Sequence, residues 1–208
     1  MIARMSRNMS SYFVLHGIIS EDDRDVYVYS FEIMLSTLQS FLALAVLAIV
    51  FGSVLETMIF LTGFVPLRLI AGGYHAKNHF RCFLILMFVY SAFLLVLFYL
   101  PLEFMLPVIV TSCLVSWVLV FLFAPSDDNN KPLTSEETVR FRKKSRITIV
   151  CYSVMLAAIT VFVTDKRYAL SLAFGIITVG LSLLANRIKR RYQIGKNKTT
   201  SGEEWIYQ

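Results

Sequence analysis

Residues 68–83 read RLIAGGYHAKNHFRCF and hold two of the three histidines and one of the three cysteines of the chain. A thiol and an imidazole are the parts of a nucleophile–base pair, so His75 and Cys82 are the first residues to weigh. They lie seven positions apart. On one unbroken helix they would share a face yet stand about 10 Å apart along the axis, too far for proton transfer. They can meet only if the chain breaks between them. Gly72-Gly73 permits backbone angles that other residues avoid, and Asn78 is a good N-cap for a helix beginning near His79. Cys82 then falls in the first turn of that helix, where the positive end of the dipole favours a thiolate and Lys77 and Arg81 add positive charge. A loop that folds His75 back over the sulfur makes a Cys–His pair, with His75 as general base and later general acid. The residues alone leave other readings open. A thiol at a helix start can simply pack, and a loop histidine can simply be solvated. His79, three residues before Cys82, is a rival base or an interfacial residue.

The elements that must position this turn are apolar. Of the 208 residues, 57% are hydrophobic and 16% charged, and the mean hydropathy is +0.65. A water-soluble domain carries more charge than this. Runs at about 28–50, 54–70, 80–100, 103–124, 147–164 and 168–187 are long enough to cross a bilayer as helices. Gly52-Ser53, Pro101 and Asp165-Lys166-Arg167 mark tight turns between them. Residues 1–20 place Ile2, Met5, Met9, Tyr12 and Phe13 at helical spacing around Arg4 and Arg7, the pattern of a helix lying on a membrane surface. His16 reads as an interfacial residue of that helix. The expected fold class is therefore all-α, a polytopic membrane protein of six transmembrane helices plus an N-terminal amphipathic interfacial helix. Residues 1–188 form one membrane-embedded domain, and 189–208 a basic, mobile tail.

The formal net charge is +6. With the N-terminus on the cytoplasmic side, eighteen of the twenty Lys and Arg residues fall in cytoplasmic segments and only Lys166 and Arg167 outside. That asymmetry orients a membrane protein, and it puts both termini and the His75–Cys82 turn on the cytoplasmic face. Charge distributed between apolar spans argues against a nucleic-acid partner; the lipid bilayer is the partner it predicts. Cys82, Cys113 and Cys151 make no CxxC pair, so neither a disulfide framework nor a metal site is expected. No cofactor is expected. The first twenty residues lack the apolar core and cleavage site of a removable signal peptide.

RLIAGGYHAKNHFRC resembles the signature of the accessory gene regulator B (AgrB) family, polytopic bacterial membrane cysteine endopeptidases of peptide quorum sensing. The shared pattern is Arg68, Gly72-Gly73, His75 and Cys82. A second shared feature is Ala124-Pro125 followed by Lys131-Pro132, after the fourth span. The resemblance covers nearly the whole chain. It implies that His75 and Cys82 are the catalytic pair. It further implies a substrate of the AgrD-like precursor type, with an amphipathic leader and a charged C-terminal tail, which Cys82 would cut through a thioester and close to a thiolactone.

Other polar residues are candidates for supporting roles. Arg68 can snorkel to headgroups or bind a carboxylate of the substrate or of Glu32. Glu32 and Gln39 share a face of the first span, where polar groups usually turn inward, to line a groove or hold helices together. Asp127 or Asp128 can orient His75 as third members do elsewhere, or merely solvate a loop. Lys131 can touch an acidic substrate segment. The basic cluster at 140–146 is chiefly a topological anchor. Small and Ser/Thr-containing span faces leave a homodimer open. A non-catalytic membrane peptide transporter or scaffold is the alternative function.

Overall fold

Inside a bilayer no water satisfies a backbone N–H or C=O, so apolar segments of this length must close their hydrogen bonds within themselves. The structure, a computed structural model, has that form. It describes residues 2–74, 79–126 and 133–204; the side chains of His79 and of residues 193–204 lie outside the description. The helices are α1 (Ile2–Leu15), α2 (Arg24–Val50), α3 (Val54–Ala71), α4 (His79–Tyr99), α5 (Leu102–Phe123), α6 (Ser135–Phe162) and α7 (Lys166–Glu204). Six of them, α2 to α7, are long and apolar enough to cross a membrane. The protein is an all-α, multi-pass membrane protein.

The helices meet the sequence expectation at most ends. Two ends differ. Helix α6 starts at Ser135 rather than near 147, because Thr134 and Glu137 form a capping box in the polar connection: Glu137 N–H donates to Thr134 Oγ1 (3.2 Å) and Thr134 N–H to Glu137 Oε2 (3.0 Å). Helix α7 continues to Glu204, so the basic segment expected as a tail from 189 extends the last span as helix through that residue.

The chain forms two compact units. The first holds α1, α2 and α4 as far as Ala92. Here α1 presents Ser6 and Ser10, both fully buried, to α2. Small side chains let two helices approach closely. Phe13 stacks on Phe31 with centroids 5.5 Å apart, and Arg24 ties the connecting bend together by donating to Ser11 Oγ (3.1 Å) and Glu21 Oε1 (3.2 Å). Periodicity placed the apolar side of α1 against lipid; the structure divides that side. Phe13 turns to α2, whereas Met5 and Tyr12 are exposed.

The second unit holds α3 from Leu55, α4 from Phe93, and α5, α6 and α7. Helix α7 is its centre: 56% of its spanning window is buried, against 17–28% for the other five spans. Its small residues explain this. A Cβ on Gly175 would stand 2.3 Å from the Phe60 carbonyl oxygen, and one on Gly63 would stand 2.9 Å from that of Leu172, so α3 and α7 touch backbone to backbone. Phe60, Phe93 and Phe174 pack alongside, with 4.9 and 5.5 Å between successive centroids. Polar side chains also link these spans. Tyr152 donates to the Thr62 carbonyl (2.6 Å), and Trp117 Nε1 donates to Ser153 Oγ (2.7 Å), which lies 3.5 Å from the Cys113 sulfur. The three cysteines are free thiols.

Candidate active site

Helix α3 ends at Ala71 because Gly72 and Gly73 adopt φ of +74° and +140°, a region costly for any residue with a Cβ. The next helix starts at His79. The expected end of the helix at Gly72-Gly73 is therefore present, and Cys82 stands on a separate helix from Arg68.

Three segments of the second unit converge on the Gly-Gly turn. From α3, the Arg68 guanidinium donates through Nη1 to Gly72 O (3.1 Å) and Ser182 Oγ (2.7 Å), and through Nη2 to Tyr74 O. From the segment after α5, Ser126 N–H donates to Ala71 O (2.9 Å), forming an isolated parallel bridge between Gly72 and Ser126. From α7, the Ser182 carbonyl accepts from Tyr74 N–H (3.0 Å), Asn186 Nδ2 donates to Ser126 Oγ, and the Lys189 ammonium lies 4.8 Å from the centre of the Tyr74 ring. Where α3 ends, the Ala71 carbonyl is thus satisfied by the distant Ser126, and those of Gly72 and Tyr74 by Arg68 from the helix itself.

This convergence leaves no room for side chains on the glycines. A Cβ on Gly72 would lie 2.2 Å from Ser126 O, and one on Gly73 would lie 1.6 Å from Arg68 Nη1 and 2.4 Å from Ser182 Oγ. Arg68 and Gly73 are coupled parts: the guanidinium occupies the space a Cβ would need. The sequence offered Arg68 as a headgroup or carboxylate ligand. Its hydrogen bonds give it a third task, holding the main chain at Gly72 and Tyr74.

The other expected residues fall as follows. Cys82 is exposed and is the fourth residue of α4, in the first turn as expected. Glu32 is half-buried on α2, while Gln39 is exposed on the same helix rather than turned inward. His75, Asp127, Asp128 and Lys131 lie outside the described residues. Among the described residues, no three His, Cys, Asp or Glu side chains converge as a metal site would require. Ser126, Ser182, Asn186 and Lys189 were not singled out from the sequence. Ser182 and Asn186 did carry a signal, being two polar residues four apart near the end of an apolar span, hence on one helical face.

Six apolar spans, with a densely bonded polar turn after α3, define a multi-pass membrane protein. Residues 6–183 match the family model for accessory gene regulator B. The chain is 30% identical over 158 residues to FsrB of Enterococcus faecalis, covering 75% of this chain and 62% of FsrB. It is 31% identical over 168 residues to a Clostridium acetobutylicum protein described as AgrB-like, covering 78% and 77%. It is 27% identical over 140 residues to accessory gene regulator protein B of Staphylococcus carnosus, covering 66% and 69%. The chain thus spans less than two thirds of the length of FsrB and about three quarters of the clostridial relative. No solved structure matches it significantly. The chain belongs to the accessory gene regulator B family, and so to the accessory gene regulator system of quorum sensing. Both sequence motifs, at 68–82 and 124–132, fall inside the matched region.

Proposed function

We propose that this protein is a membrane cysteine endopeptidase that removes the C-terminal tail of an AgrD-like precursor peptide and closes the remainder into a thiolactone. The observation that carries this reading is the α3–α4 junction. The helix stops at Ala71, the following main chain is held on both sides by Arg68 and Ser182, and an exposed thiol stands in the first turn of the next helix. A built turn leading to an imidazole, followed by an accessible sulfur at a helix start, suits a nucleophile and its base.

In the proposed reaction His75 accepts the Cys82 thiol proton, and the sulfur attacks the carbonyl carbon of the peptide bond before the tail. Backbone N–H groups after Gly72-Gly73 or at the start of α4 serve the oxyanion. The C–N bond breaks, and His75 returns its proton to the departing amine. The rest of the precursor stays on Cys82 as a thioester. The precursor's own thiol then attacks that carbonyl, the bond to Cys82 breaks, and the Cys82 thiol is restored as the ring closes. Exchange of one thioester for another is nearly neutral in energy, whereas hydrolysis is downhill. Ring closure must therefore win kinetically, by holding the internal thiol close and limiting water. A site at the edge of the hydrocarbon suits both needs. The precursor's membrane-seeking leader also confines it to the same interface, which raises its effective concentration.

The charge asymmetry supports a cytoplasmic site with both termini on the same side. Arg68, Gly72 and Gly73 serve as positioning groups. Glu32, Gln39, Asp127, Asp128 and Lys131 are candidates for contacts with the substrate or with His75. The test is cleavage of a co-expressed precursor. Cys82→Ala should express and insert normally yet release no tail; unimpaired release by that variant removes the mechanism.

A further inference from the structure

The basic cluster of α6 has no part in the junction, yet it is not a featureless charged surface. Arg142, Lys143 and Arg146 line a cavity of about 490 Å³ against Phe121 of α5. Arg146 is fixed there twice: its guanidinium carbon lies 4.9 Å from the centre of the Phe121 ring, and its Nη2 donates to the Phe121 carbonyl (3.4 Å). Arg142 and Lys143 sit one turn earlier on the same face, both exposed. Ser145, beside them on the helix, is fully buried, whereas the three cations are exposed. Among the described residues no carboxylate forms a salt bridge with any of the three. Glu137 is engaged in the capping box.

Toward the bilayer the same cavity changes character. Its wall becomes Ile147, Val150 and Cys151, and the exposed apolar face continues to Val154 one turn on. Along α6 the surface thus runs from cations to hydrocarbon within about three helical turns. That is the polarity profile of a phospholipid: an anionic headgroup, then an acyl chain. An acidic peptide or a free phosphate would use only the basic end.

We propose that this face of α6, backed by the end of α5, binds an anionic phospholipid. The headgroup phosphate lies among Arg142, Lys143 and Arg146, and an acyl chain lies along Ile147, Val150 and Cys151. Arg146 is preorganised by Phe121, and the other two cations close over the headgroup.

The experiment uses the full chain, delipidated in detergent, with phosphatidylglycerol and phosphatidylcholine of identical acyl chains, read by native mass spectrometry and thermal stability. Phosphatidylglycerol should bind saturably and more tightly. The double variant Arg142→Gln/Lys143→Gln should lose about thirtyfold in apparent affinity, from the loss of two cations near the headgroup. The charge-matched double variant Arg4→Gln/Arg7→Gln on α1 should stay within about twofold. A footprint on the unmodified cavity answers independently of whether the variants fold: phosphatidylglycerol should slow maleimide labelling of Cys151 and leave that of Cys82 unchanged. Equal binding of the two lipids overturns the proposal. So does equal binding of glycerophosphoglycerol or an acidic peptide without acyl chains, equal loss in both double variants, or unchanged labelling of Cys151.

Discussion

Two turns of this chain use glycine at positive φ after an apolar helix, and they do so differently. After α2, Gly52 has φ +62° and no atom within 4 Å of where a Cβ would be. Its N–H donates to Ile49 O (3.1 Å) and that of Ser53 to Ala48 O (2.8 Å), which closes the helix with its own carbonyls in a Schellman motif. After α3, Gly72 and Gly73 are enclosed, and the carbonyls around them are bonded by Arg68 and Ser126. The first turn reverses the chain and is complete in itself. The second is assembled from α3, α7 and the segment after α5, and so its shape is specified beyond what reversal requires. A turn held by residues 114 positions away in sequence is a turn whose geometry matters.

Substitutions can break or sharpen this contrast. Gly73→Ala should have the largest effect. The new Cβ displaces the Arg68 guanidinium, and cleavage of the precursor should fall by about a hundredfold or more, the scale of losing charged hydrogen bonds that position a reacting group. Because the displaced atom is the far end of a long side chain, the helices should persist, which circular dichroism and thermal unfolding check. Next come Arg68→Lys and Ser182→Ala with their double variant. Each should lower kcat by about tenfold with little change in KM, and the double variant should lose less than the product of the two because both remove one contact. Independent, multiplying losses would contradict a shared clamp. Smallest is Gly52→Ala, expected to cost about 1 kcal/mol of stability from backbone strain with kcat unchanged. Equal effects on kcat at Gly52 and Gly73 would erase the distinction between the turns.

The contrast also explains what was legible. The spans were, because length and hydropathy are local properties, as were the Gly52-Ser53 turn and the break at Gly72-Gly73. The start of α6 was obscured because a hydropathy window cannot see a polar helical turn, although Thr134 and Glu137 carry the capping signature. The packing of α1 through Ser6 and Ser10 was missed because periodicity identifies an apolar side but not whether a neighbouring helix takes part of it. The clamp was the least legible part. Ser126, Ser182 and Asn186 act across 60 and 114 positions, and only the fold reveals which of many serines stands beside a guanidinium.

The central claim, that the sulfur at the start of α4 carries the peptide as a thioester, can be read on the protein itself. Purified protein incubated with a precursor whose internal thiol is replaced by an inert residue should accumulate an adduct on the Cys82 peptide. That adduct should have the mass of the tail-less precursor, be released by hydroxylamine, and be absent from the His75→Ala variant. Tail release from that precursor with Cys82 unmodified throughout, or an adduct that forms equally without His75, would contradict it.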